Sequence, residues 1–205
     1  MISDRRCFKR KTEVREYRKR FLLATEGKTE QQYFNWFKRQ YDTVLIKFAP
    51  QKNSESAPQH VLKRMESFLK EESFENIDEA WLVVDKDQWT DEQLMLLHKW
   101  SQTRKNRYLA LSNPKFEFWL LLHFEDGKEI RNSNDCSRRL KQYLPDYDKD
   151  IKENKISLEG IKNAIDRAKK YDNPPCHDWP HKTGSTVYRL VENILKDSID
   201  ITIIP

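Results

Sequence analysis

The sequence predicts an α/β fold: a mainly parallel sheet flanked by helices, followed by a C-terminal helical extension. Three observations lead there. Strand-like and helix-like patterns alternate from Arg20 to Phe124. Ala80–Val84 (AWLVV) is a continuous apolar run, as expected of a strand covered on both faces. Beyond about Asp126 only helical patterns follow. The order β-α-β-α-β-α-β-α implies parallel pairing through right-handed crossovers.

Taken in order, Arg20–Thr25 (RFLLAT) is the first strand and ends at Glu26-Gly27. Thr29–Tyr41 follows as a helix, with Tyr33, Phe34, Trp36 and Phe37 at helical spacing and a capping box of Thr29 with Gln32. Val44–Ala49 is the second strand and 51–58 a polar loop. Pro58–Lys70 is an amphipathic helix with Val61, Leu62, Met65, Phe68 and Leu69 on one face. The third strand, Ala80–Val84, stops abruptly at Asp85-Lys86-Asp87, before a helix at Asp91–Trp100 and a strand at Tyr108–Leu111. Asn113-Pro114 opens the next helix, Lys115–Phe124, with proline in its first position. Further helices are expected at 134–143, 157–171 and 185–196, with an irregular proline-containing loop at 171–184.

The division expected is a basic arm (1–19), an α/β core (20–125) and a helical extension packed on it (126–205). A chain of 205 residues, 37% hydrophobic and 35% charged, can bury a core beneath a heavily solvated surface. No stretch approaches the ~18 apolar residues that a membrane span needs, so no membrane partner is expected. The basic N-terminus has no apolar region behind it and does not read as a secretory signal. Three cysteines, Cys7, Cys136 and Cys176, make a sparse, odd set that suits a reducing cytoplasm.

The net charge of +5 is concentrated at one end. Residues 1–20 hold nine basic residues, Arg15, Arg18 and Lys19 among them, against three acidic ones. Removing these from the totals of 38 basic and 33 acidic leaves 29 and 30, a nearly neutral body. Such an arm either is simply solvated or contacts nucleic-acid phosphates, with salt-sensitive binding.

Ligands of open α/β sheets gather at the carboxyl ends of the strands. Glu26 stands at that end of the first strand, and Asp85 and Asp87 at that of the third. Two residues apart in extended backbone, Asp85 and Asp87 point to one side. Converging carboxylates repel one another unless a cation is present, and Mg²⁺ takes one or two of them together with waters and phosphates. The plainer reading makes the aspartates loop residues, one capping the next helix. Gly27 permits a close turn that lets Glu26 face the same crevice.

Glu117 lies in a helix that is apolar all round (FEFWLLL), so its carboxylate needs a partner: Lys115, an arginine or a metal. Lys28 and Lys115 lie beside the site and either hold phosphate and developing negative charge or are ordinary surface lysines. Cys176, His177 and His181, with or without Cys136, lack the spacing of a zinc site, and adjacency in sequence is weak support for a Cys/His nucleophile pair. Ser185 or Thr186 reads as an N-cap, with phosphate binding at that helix start as the alternative.

Leu22-Leu23-Ala24-Thr25-Glu26-Gly27-Lys28-Thr29-Glu30, followed by Val83-Val84-Asp85-Lys86-Asp87, resembles the two signatures of the topoisomerase–primase (Toprim) domain: a Glu after the first strand and an Asp-x-Asp after the third. More narrowly, Glu26-Gly27-Lys28-Thr29-Glu30-x-x-Tyr33-Phe34, Ser112-Asn113-Pro114-x-Phe116-Glu117-x-Trp119, and Ser185-Thr186-Val187-Tyr188-Arg189 resemble the RloB-like family from about Arg20 to Leu195. The resemblance implies a Toprim-like fold and a Mg²⁺- or Mn²⁺-dependent endonuclease acting on DNA or RNA, tRNA included. It also implies a role in bacterial anti-phage defence beside an AAA- or ABC-type ATPase encoded nearby, and a homodimer is compatible with it. On that basis Glu26 is the general acid/base or a metal ligand, Asp85 and Asp87 hold the metal, and Glu117 is a fourth acidic position. Two other readings stay open: a non-catalytic nucleic-acid-binding or effector subunit, and strand passage or primer synthesis, for which 205 residues leave little room.

Overall fold

Successive side chains of a strand face opposite ways, and here both sets are apolar, so helices must cover both sides of the sheet. The computed structural model describes residues 18–51, 57–87, 89–148, 151 and 155–199. Among these, β1 (Arg20–Thr25), β2 (Leu45–Phe48), β3 (Glu79–Asp85), β4 (Arg107–Asn113) and β5 (Gly184–Ser185) form one sheet in the order β2-β1-β3-β4-β5. The first four are parallel, and β5 runs antiparallel to β4.

One face carries Leu22, Ala24, Ala80, Leu82, Val84, Leu109 and Leu111. It is covered by α2 (Pro58–Glu71) through Val61, Met65 and Phe68, and by α3 (Asp91–Ser101) through Leu94, Leu97 and Trp100. The other face carries Phe21, Leu23, Trp81, Val83 and Ala110. Its cover begins with α1 (Lys28–Gln40) and α4 (Phe116–Leu121), whose Tyr33, Phe34, Phe37, Phe116, Phe118 and Trp119 are almost wholly buried. Each phenylalanine so buried contributes about 1.5–3 kcal/mol. The same cluster takes in α5 (Ser133–Tyr143), α6 (Leu158–Tyr171) and α7 (Val187–Ile199) through Leu140, Ile161, Leu190 and Ile194. The extension therefore shares one core with the sheet.

The structure moves several expected boundaries. The cap of α1 is Gly27 rather than Thr29, because the Glu30 carboxylate accepts the Gly27 amide at 3.1 Å. Gln32 instead accepts the amide of Ile151 at 3.0 Å. Pro114 lies outside α4, where Lys115 takes the capping position. That helix ends at Leu121, because the His123 and Phe124 amides turn to the carbonyls three residues back, those of Leu120 and Leu121. Ser185 does not start a helix. It lies in β5 with its hydroxyl 2.9 Å from that of Ser112, and α7 begins at Val187. No helix among the described residues is long and apolar enough to cross a membrane.

Candidate functional site

Strand register brings Glu26 and Asp85 together. Thr25 on β1 pairs with Val83 on β3, and the Glu26 amide extends that ladder to the Val83 carbonyl at 3.0 Å. Glu26 then reaches across the strand ends: Oε2 accepts the Asp85 amide at 3.1 Å, and Oε1 accepts the Trp89 indole N–H at 3.3 Å. Asp85 in turn accepts the Phe116 amide at 2.8 Å, so the start of α4 is tied to the end of β3.

Glu30, absent from the residues singled out by sequence, completes the group. It is 4% exposed, and burial, with Glu26 and Glu117 nearby, pushes its carboxyl up to about 7. Burial does the same to Asp85, helped by Glu30, Glu26 and Glu117, and holds it well above the usual carboxylate range. Glu26 is raised as well, by burial first and then by Asp87, against the hydrogen bonds from Asp85 and Trp89. The signal that could have found Glu30 was present in the sequence. It lies four residues after Glu26, on the first turn of the helix that follows. A glycine at 27 is needed less for a turn than for space, since its backbone is extended and a Cβ there would meet Glu30 Oε2 at 3.1 Å.

The other predicted residues divide. Glu117 finds two partners: the Tyr147 hydroxyl donates to it at 3.1 Å, and Lys115 Nζ lies 3.9 Å away. Lys115 also donates to the Ser137 hydroxyl at 2.6 Å. Asp87 does not continue the strand beside Asp85. The strand ends at Asp85, and the next two amides are captured by the carbonyls of Ser112 and Pro114. Asp87 therefore takes φ +23°, stands exposed, and accepts the Ser133 hydroxyl at 3.0 Å. Its charge is still felt at Glu26. Lys28, the first residue of α1, is exposed.

The basic residues of the arm lie elsewhere. Arg18 and Lys19 precede β1, at the opposite end of a six-residue strand from Glu26 and so about 20 Å away. Arg18 donates to the Asp42 carbonyl at 3.4 Å. Lys19 sits between Glu79 at 2.7 Å and Asp197 at 2.6 Å, fastening the start of β1 to the end of α7. Arg15, like Cys7, lies outside the described residues.

Cys136 is buried in the core, Cys176 lies 3.6 Å from an Arg189 nitrogen, and His181 pairs with Asp178 at 3.0 Å. Asp172 gathers Tyr188 at 2.7 Å and Arg189 at 2.6 Å, a buried network on the loop before β5 that sequence spacing did not suggest. Among the described residues no three His, Cys, Asp or Glu side chains already close into a metal cage. The carboxylates at the strand ends nonetheless fit a hard cation in chemistry. They are all-oxygen donors, desolvated together and raising one another's pKa, which a positive ion would reverse. Mg²⁺ asks for only one or two of them, with waters completing the octahedron.

Fold and site together define an α/β protein with a carboxylate cluster at the carboxyl edge of its parallel strands. The chain belongs to the RloB-like protein family, whose model matches residues 21–194. No curated protein and no solved structure matches it.

Proposed function

We propose that this protein is a Toprim-type, Mg²⁺- or Mn²⁺-dependent endonuclease that hydrolyses phosphodiester bonds in DNA or RNA. The observation that carries the reading is the convergence of carboxylates at adjoining strand ends, where Glu26 accepts the Asp85 amide and Asp85 accepts the Phe116 amide, and where burial raises Glu26, Glu30 and Asp85 together. Like charges desolvated together are costly and are expected where a cation or a proton in transit belongs.

Glu26, Asp85 and Glu30 would hold the ion, with Asp87 at the rim. When bound, the ion supplies Lewis acidity toward a phosphoryl oxygen and a lowered pKa for its water. Glu26, fixed by the Asp85 amide and the Trp89 indole, would serve as one of those ligands or, where the ion rests on Asp85 and Glu30, as the proton acceptor. Lys115, beside Glu117, would meet developing negative charge. The family resemblance suggests a defence locus with an ATPase partner as the setting.

The test is Mn²⁺ titration followed by electron paramagnetic resonance, alongside cleavage of plasmid DNA and tRNA. Wild type should bind Mn²⁺ and cleave one of the substrates, and Glu26→Gln and Asp85→Asn should lose both properties. Cleavage that survives both substitutions sinks the assignment. Metal binding without cleavage, alone or with the ATPase, favours an effector subunit.

A further inference from the structure

One edge of the sheet is left open along half a strand. Among the described residues β5 pairs with β4 only at Ser112 and Asn113, and Thr186 takes both backbone groups of Leu111. Register fixes which of the remaining groups face outward. The Ala80 amide bonds the Asn106 carbonyl and the Lys86 amide that of Ser112, so the even-numbered residues of β4 turn their peptide groups to β3. Arg107 and Leu109 therefore turn theirs away from it. The Arg107 amide is spent on the Arg104 carbonyl. What remains is the Arg107 carbonyl, the Leu109 amide and the Leu109 carbonyl. These form a row of acceptor, donor and acceptor with no partner among the described residues, although backbone groups away from water are nearly always paired.

Arg107 and Leu109 line a cavity of about 420 Å³, a size that suits a small ligand. His98 of α3 lines it from one face of the sheet, and Tyr108 with Asn193 of α7 from the other, so the cavity lies at the sheet's own level. Tyr108 is stacked on Trp81 at 4.4 Å, and His98 stands edge-on to Trp179 at 6.1 Å. The charged side chains around it are engaged elsewhere: Arg189 with Asp172, Asp178 with His181, and Glu192 with Lys169. None of them answers the strand edge. Arg107 pairs with Ala80, so the cavity lies about 16 Å along the sheet from Asp85 and is separate from the carboxylate cluster.

We propose that this cavity binds the adenine base of a nucleotide, its pairing edge set against β4 and its ring between His98 and Tyr108. The order of the free groups selects the base. A central N–H requires an acceptor at the middle of the base edge. Adenine N1 and cytosine N3 supply one, whereas guanine, hypoxanthine and uracil present an N–H there. Adenine then donates its amino group to the Arg107 carbonyl and turns C2–H toward that of Leu109. Cytosine would instead set its O2 against the second carbonyl, at the cost of an unpaired acceptor. An added strand fits less well, because strands usually pair over five or six residues. Here Thr186 closes the lane beyond Leu111 and three groups are left, enough for one flat heterocycle. The inference is independent of the nuclease reading.

The experiment titrates the full chain with AMP, IMP and UMP by isothermal calorimetry and follows the Leu109 amide by NMR in isotope-labelled protein. AMP should bind, with IMP and UMP at least about tenfold weaker. AMP should shift the Leu109 amide and IMP should not. Leu109→Pro removes the outward donor while leaving the bonds to β3 in place, and AMP affinity should fall at least about tenfold. If that variant fails to fold, a deaza analogue of AMP lacking N1 makes the same deletion on the ligand, and its affinity should fall equally. Hexa-adenylate binding more tightly than AMP identifies an adenine presented by a nucleic-acid strand, and weaker binding a free nucleotide; both uphold the base site. IMP binding as well as AMP, no binding of AMP, or binding that leaves the Leu109 amide unmoved overturns the proposal. So does a shift of that amide by an extended peptide alone, which would assign the edge to strand addition.

Discussion

At the scale of single residues, the site is held in a destabilised state by its own charges. Asp85 is the sharpest case: its ionised form is penalised by burial and by three neighbouring carboxylates. Asp85→Asn keeps an acceptor for the Phe116 amide and removes the charge. Without metal, that variant should be more stable than wild type, because the buried carboxylate and its repulsion from three neighbours are gone. Wild type should gain about 2.7 kcal/mol at a hundredfold excess of Mn²⁺ over its Kd, and the variant should gain almost nothing. Thermal melts with EDTA and with Mn²⁺ check both halves. Gly27→Ala places a methyl group 3.1 Å from a Glu30 oxygen that is buried and hydrogen-bonded to the same residue. A loss of about 1 kcal/mol is expected, together with weaker Mn²⁺ binding, both measurable in one titration series.

His123 supplies the pH dependence. Its Nδ1 faces the Trp119 carbonyl at 3.0 Å and so carries the proton, while Nε2 accepts from the Tyr33 hydroxyl at 3.1 Å. Burial pushes its pKa down to about 4, below the roughly 6.5 of an unfolded chain. The unfolded state therefore takes up the proton first. The His123 contribution is full above pH 6.5 and declines as pH falls toward 4, by on the order of 3 kcal/mol, while protonation of Glu30, Asp85 and Glu26 works in the opposite direction over the same range. Urea melts of wild type and His123→Gln at pH 7 and 4.5 isolate the histidine contribution, which should disappear in the variant.

At the scale of elements, strands and long helices were legible in the sequence because their signals are local. Arg20–Thr25 is found as expected, and Pro58–Glu71 and Asp91–Ser101 differ from the expected helices by one residue. What escaped depends on partners distant in sequence. β5 exists because Ser185 and Thr186 meet β4 more than 70 residues away, a pairing that two residues cannot announce. Asp87 was placed by assuming the strand continued, whereas carbonyls of Ser112 and Pro114 turn it away. Glu26 and Asp85 could be read because strand ends are visible in the apolar pattern. Glu30 was visible by its place on the first turn after Glu26, but its weight in the site was not, since that lies in what burial does to its charge. Thr186 allows a test of the long-range pairing. Its hydroxyl accepts the Leu111 amide at 2.9 Å, so Thr186→Val should leave that amide unsatisfied and cost about 1–3 kcal/mol. Chemical denaturation reads the loss directly.

At the scale of the whole molecule, the C-terminal helices are structural members of the sheet's core. Val187, Leu190, Val191 and Ile194 of α7 are wholly buried in the cluster that holds Phe21, Leu23 and Val83. A chain ending at Thr183 should lack native near-ultraviolet circular dichroism, whereas a separable extension would leave residues 20–125 folded. The pairing of first strand and last helix also bears on biosynthesis. While a ribosome is still translating α7, one face of a finished β1–β4 sheet is without part of its cover, and Lys19 has yet to meet Asp197. Nascent chains are at that moment exposed to aggregation.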